Sequence, residues 1–272
     1  MNKKLVAVIA AVVVASGMLF YACEKEGKEK ETNKSSKLQT LQNPYDYFGE
    51  LHNLAMEQLF ELYQKENQVD IPSFAKKFMI NEMDKINTDL SSSQWAERFD
   101  KDIAYLNDYI QSICLSPNPI DFSDSYFASL TNFQKETLQK LFDGIESCAD
   151  VETLPDFITA IEQDVLGRED MLMKEKEIVL GTVSIAKYSY QFFVSYFPED
   201  KYDTKGLSSW GEKCMKVLKA DAVGFAAGVV GGVIQGQVAV GMVFGPGGAV
   251  ATLAADGTIG AVVGSGSAIL RK

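Results

Sequence analysis

Residues 222–244 read AVGFAAGVVGGVIQGQVAVGMVF, and the uncharged run that starts at Ala222 continues to Ala255. As a helix, Ala222 to Phe244 would be about 34 Å long against roughly 30 Å of bilayer hydrocarbon, so this stretch is long enough to span. Within it Gly224, Gly228, Gly232 and Gly236 recur at every fourth position, which puts small residues on one stripe and lets two helix backbones approach closely. Phe244-Gly245-Pro246-Gly247-Gly248 reads as a helix-breaking turn. Beyond it Asp256, Gly260, Gly264 and Ala268 repeat the same step. Folding about Pro246 sets Gly224 opposite Ala268, Gly228 opposite Gly264, Gly232 opposite Gly260 and Gly236 opposite Asp256, the mirror relation of an antiparallel hairpin. Asp256, Gln235 and Gln237 are then the polar side chains at membrane depth, where an ionised carboxylate is costly unless paired or wet. Two other arrangements are open: a soluble helical hairpin whose Val and Ile face packs on the preceding residues, and a β-hairpin from the alternation of Val238, Val240, Met242 and Phe244.

The preceding residues read as helices. Tyr47, Phe48, Leu51, Leu54, Ala55, Leu59, Leu62 and Tyr63 recur at helical spacing, as do Phe74, Phe78, Met79 and Met83 after Pro72. Ser91-x-x-Gln94 has the form of a capping box and opens a third stripe of Trp95, Phe99, Ile103, Leu106, Ile110 and Ile113. Thr131-x-x-Gln134 opens a fourth with Phe133, Leu138, Leu141, Phe142 and Ile145. A fifth helix is expected over Leu154 to Val165 and a sixth over roughly Arg168 to Tyr196. Short connections imply antiparallel neighbours. The expected fold is all-α, an antiparallel helical bundle followed by a glycine-rich helical hairpin.

The 272 residues include 26 Lys and Arg against 37 Asp and Glu, a net charge of −11, with one His and four Cys. So acidic a balance argues against a nucleic-acid partner, whose phosphates need basic counterparts. The charge is uneven: residues 24–40 hold four Glu and five Lys with no aromatic, whereas 13 of the 21 Gly lie after position 220. Four segments are expected: a leader over 1–22, Cys23 with a charged tether over 23–40, an acidic helical domain over 41–220 and the hairpin over 221–272. The tether has too little apolar surface to offset its ordering entropy and reads as disordered.

The leader starts with Lys3 and Lys4, is apolar from Leu5 to Ala15, and passes through Ser16 and Gly17 into Leu19-Phe20-Tyr21-Ala22-Cys23. That is a secretory signal layout. A small residue directly before a Cys at the end of such a leader resembles the lipobox of bacterial lipoproteins, with Phe20 where an aliphatic residue is usual. The resemblance implies lipid transfer to the Cys23 sulfur, palmitate included, and cleavage after Ala22. Glu24 rather than Asp after the Cys implies outer-membrane residence, and the acid-containing run is similar to surface-export signals of Bacteroidota lipoproteins. An uncleaved anchor over Leu5 to Ala22 is the alternative. The tail resembles the glycine-zipper hairpins of bacterial envelope proteins, including two-span surface antigens and some pore-forming bacteriocins. These resemblances imply membrane lipid as a partner, self-association through the tail, and a protein partner that the sequence does not name.

Chemistry-bearing motifs are sparse. One His excludes a multi-His metal site and routes any Ser-His-Asp or Cys-His arrangement through His52. Its neighbours one helical turn away, Phe48, Gly49, Ala55 and Met56, include no carboxylate to hold a tautomer or a metal. No calcium loop, nucleophile elbow, phosphate-binding loop or zinc spacing occurs, so no cofactor, metal or catalytic residue is assigned and the chain is read as non-enzymatic. The acid pairs Asp100 with Asp102, Asp121 with Asp124 and Glu169 with Asp170 read as solvated helix faces. After lipidation of Cys23, the thiols of Cys114, Cys148 and Cys214 remain. In an up-and-down bundle Cys114 and Cys148 fall at opposite ends, leaving Cys148 with Cys214 as the pair able to bridge, against three buried free thiols. The expected roles are an envelope structural or interaction protein, a secreted pore-forming or antagonistic bacteriocin-like toxin, or a helical binding domain whose tail packs on the body.

Overall fold

The computed structural model describes residues 41–86, 91–100, 103, 120–122, 125–198, 207–234 and 246–270. Two compact units are present, 1–44 and 45–272, and in the first only residues 41–44 are described. The second unit is all-α, with no strand among the described residues. In chain order the helices are α1 (Asp46–Glu66), α2 (Ile71–Ile86), α3 (Asn132–Glu146), α4 (Leu154–Leu166), α5 (Met173–Tyr196), α6 (Leu207–Ile234) and α7 (Pro246–Leu270), with residues 92–100 helical between α2 and α3.

Local chemistry sets the boundaries. At the start of α3 the Thr131 hydroxyl accepts from the Gln134 amide at 3.3 Å and the Thr131 amide donates to Gln134 Oε1 at 2.9 Å. The same reciprocal pair joins Ser91 and Gln94, so both capping boxes satisfy amides that no helical carbonyl can reach. α1 stops where Asn67 turns left-handed, at φ 56°, and its amide closes on the Tyr63 carbonyl. Helix α5 begins at Met173 rather than near Arg168, because Glu175 reaches back to the Leu172 amide at 2.8 Å and fixes the first turn there.

Consecutive helices from α4 to α7 pack antiparallel as expected: Lys176 meets the Leu166 carbonyl and Lys187 meets Glu162, while Gly181, Ser189 and Phe193 meet Phe225, Asp221 and Trp210. α1 runs parallel to α5: the Ser184 hydroxyl meets the Asp46 carbonyl and the Gly49 amide, Asn53 Nδ2 donates to the Tyr188 carbonyl, and Phe60 meets Phe192, Tyr196 and Phe197. This added parallel pair joins helices distant in sequence, and Gly49 permits it, because a Cβ there would lie 2.3 Å from the Tyr188 ring.

α6 and α7 form the antiparallel hairpin, but in a different register from the mirror pairing about Pro246. A Cβ on Gly224 would stand 2.3 Å from the Gly260 carbonyl oxygen, one on Gly228 2.2 Å from that of Asp256, and one on Gly264 2.4 Å from that of Ala220. The partner of Gly224 is therefore Gly260 and not Ala268, and that of Gly228 is Asp256 and not Gly264. The cause is Pro246, which is the first residue of α7 and not the apex of the bend. Its missing N–H and fixed φ suit a first helical turn. Moving the midpoint four residues toward the N-terminus shifts every partner by eight, which keeps the four-residue steps facing each other. Asp256 accordingly lies over Gly232, where an added Cβ would meet its Oδ2. Gly236, Gln235, Gln237 and the Val238 to Phe244 alternation lie outside the described residues, as do Cys23, Cys114, Asp102 and Asp124.

The expected boundary at 220/221 falls inside α6, and the hairpin belongs to the same compact unit as the body. α6 packs on α5 and α3, and α7 on α1 and α2. Phe225, Val229, Val230, Ile259 and Val262 join Phe48, Met56, Leu59, Val179 and Val183 in one core. Among the described residues, no helix is long and apolar enough to cross a membrane.

Candidate functional site

The hairpin carries its polar side chains inward. Asp221 on α6, Ser189 on α5, His52 on α1 and Ser265 on α7 are all fully buried and meet where the four helices pack. His52 Nε2 lies 3.5 Å from Asp221 Oδ2 and 3.5 Å from Ser265 Oγ. The Ser189 hydroxyl donates to Asp221 Oδ2. On the other side of the ring, His52 Nδ1 is 3.1 Å from Asn53 Oδ1, and the Asn53 amide is anchored on the Tyr188 carbonyl at 2.9 Å. Burial pushes the Asp221 carboxyl above the usual carboxylate range, while His52, Ser189 and the Ser265 backbone act in the opposite direction. A buried carboxylate is otherwise expensive, and the histidine and hydroxyl compensate it.

This geometry differs from a nucleophilic triad. There the carboxylate and the serine use opposite ring nitrogens, so that one orients the base and the other is activated. Here Asp221 and Ser265 share Nε2, and Ser189 bonds the carboxylate instead of the imidazole. The arrangement can lock four helices in register. It does not aim an activated hydroxyl at an approachable space.

Two further polar sites flank it. Lys187 Nζ bridges Asp46 Oδ1 at 2.6 Å and Glu162 Oε1 at 2.9 Å, tying α5 to α1 and α4. Neighbouring carboxylates outweigh burial and raise the Lys187 ammonium. Nearer the start of α5, Glu177 is buried with no hydrogen-bond partner for Oε1, and desolvation raises its carboxyl to about 7. The same carboxylate adds to the burial that raises the Tyr45 and Tyr47 phenols.

Of the residues singled out in the sequence, the structure brings Gly224, Gly228 and Gly232 against Gly260 and Asp256, and Gly264 against Ala220. Asp256 is itself fully buried in the protein, and Ala268 lies at the edge of the core. Asp100 pairs with Lys76 and Asp170 with Arg168, both on exposed surface. His52 acquires the carboxylate that its neighbours one helical turn away lack, from a residue far along the chain. Asp221, Ser189 and Ser265 carried no spacing signal toward it. The one available hint was a charge at Asp221 opening an otherwise uncharged run.

Comparison with protein-family models, curated proteins and solved structures returns no match. The class that the fold defines is an all-α bundle built around a buried glycine hairpin.

Proposed function

We propose that this chain is a non-enzymatic lipoprotein of the bacterial outer membrane or cell surface, acylated at Cys23, spaced from the lipid by residues 24–40, and acting through the outer face of its helical domain as a structural or interaction protein. The observation that carries the reading is the enclosure of the hairpin. Among the described residues, its small-residue stripe is used up in contacts between α6 and α7, and α1, α2, α3 and α5 pack on the two helices, so this reading gives the lipid contact to the N-terminus. The sealing of His52 and Asp221 supports a packing role for the most enzyme-like cluster.

Cys23→Ser tests the anchor. Expressed in a bacterium with lipoprotein processing, the native chain should appear as a shortened, detergent-phase protein and the variant as a full-length precursor. Mature variant of unchanged size and partitioning would overturn the reading.

A second reading, a secreted toxin that releases its hairpin into a target bilayer, is favoured by one observation. The least charged helices of the fold are also its innermost, sheltered by amphipathic ones. Dye-loaded vesicles separate the two: a structural lipoprotein leaves them sealed, whereas a toxin empties them and loses that activity when Gly228→Leu prevents close packing of the hairpin.

A further inference from the structure

Helix α3 ends at Glu146 and Cys148 follows in the turn that leads to the short 3₁₀ segment Val151–Thr153. Two contacts fix how this turn lies against α6. A Cβ on Gly211 would stand 3.1 Å from Val151 Cγ2, and Lys219 Nζ is 3.0 Å from Glu146 Oε2. The turn therefore runs antiparallel to α6, and Cys214, three residues after Gly211, comes level with Cys148, three residues before Val151. Both thiols are free. They differ in access: Cys148 is half-buried, its thiol donating to the Asp150 carbonyl at 3.0 Å, whereas Cys214 is sealed in the core.

We propose that Cys148 and Cys214 are a reversible redox clasp, closing a disulfide that fastens α6, and with it the glycine hairpin, to the α3–α4 junction. The accessible Cys148 reacts first. Its thiolate attacks a sulfur of a small-molecule disulfide, one thiolate leaves, and a mixed disulfide stands on Cys148. The Cys214 thiolate then attacks Cys148 Sγ and expels the second small thiolate. Two protein S–H bonds are lost, one S–S bond forms, and the oxidant is reduced to two thiols. Burial pushes the Cys214 thiol up to about 12, with Asp221 and Cys148 adding to it. Few Cys214 thiolates exist at neutral pH, so the second step is the slow one. The clasp holds both ends of a loop that contains α4 and α5.

The test uses the full chain, folded and in excess oxidised glutathione, followed by alkylation and peptide mapping by mass spectrometry. The expected product is a Cys148 to Cys214 linkage two hydrogens lighter than the reduced pair. From a preformed Cys148 mixed disulfide, closure should accelerate about tenfold per pH unit between pH 7 and 9. The closed form should melt about 5 °C higher than the reduced one, since a loop of this size loses substantial unfolded-state entropy. Cys214→Ser should stop at the mixed disulfide and lose the thermal gain, while Cys114→Ser should change nothing. A linkage from Cys148 to Cys114, or a mixed disulfide on Cys148 that persists at pH 9 in the native chain, would overturn the proposal. Neither result depends on acylation of Cys23, so the clasp and the lipoprotein reading fail separately.

Discussion

At single residues, the glycine stripe between α6 and α7 tolerates almost nothing larger than hydrogen. A Cβ on Gly260 would stand 2.0 Å from the Gly224 carbonyl oxygen, and the obstacle is backbone, which moves only if the two helices separate. Gly260→Ala should therefore cost about 2–4 kcal/mol despite alanine's better helix propensity. Gly211→Ala, whose new methyl meets one Val151 methyl at 3.1 Å, should stay within about 1 kcal/mol of the native protein. Chemical denaturation of both checks the contrast, and equal effects would mean that the close approach is not what stabilises the hairpin. Glu177 gives a pH signature. Its carboxyl titrates near 7 when folded, against an ordinary 4.5. The folded state holds the proton more tightly, so this group favours folding below pH 4.5, and that contribution is lost as the pH rises from 4.5 to 7. Ionising it costs at most about 3 kcal/mol. Glu177→Gln should match the native protein in the acid range, exceed it by about 1–3 kcal/mol at pH 8, and flatten the stability profile between. A variant less stable at pH 8 would show that the carboxylate has a partner.

At the level of elements, the two capping boxes and the stripes of α1, α2 and α3 were legible because they depend on residues within one or two turns of each other. Thr131→Ala should accordingly cost about 1 kcal/mol and lower the melting temperature by a few degrees. What was not legible was which helices distant in sequence touch. The parallel pairing of α1 with α5 rests on Gly49 and Ser184, whose sizes matter only once the helices are side by side. The start of α6 was also missed: Trp210, Cys214, Val217 and Leu218 face the core at helical spacing, but the glycine run after them invites a boundary. The four-residue step survived in the hairpin while its register did not, since a slip of eight preserves the step and only Pro246 at the head of α7 distinguishes the two. His52 was read without a partner because Asp221 reaches it through tertiary packing alone.

For the whole molecule, the unbroken core has a direct consequence for truncation. A chain cut after residue 220 loses Phe225, Val229, Ile259 and Val262 and bares the faces of Phe48, Met56 and Val183 that lie in the same core. It should aggregate or melt without a cooperative transition, whereas residues 45–272 should unfold in one step. A sharp two-state melt from the shorter chain would separate body from hairpin after all. The His52 cluster, finally, sets a timetable. Its members are separated by as many as 213 positions, and the first helix waits for the last to complete its surroundings. Such long-range closure is slow and leaves apolar faces open during synthesis. Until Ser265 has emerged from the ribosome, the early helices have no finished core to enter. A chain that cannot finish folding until residue 265 is made stays loosely packed, and so threadable, up to that point. Nascent chains arrested before residue 260 should be cut readily by protease along α1, and those in which Ser265 is held well clear of the ribosome by an added linker should resist.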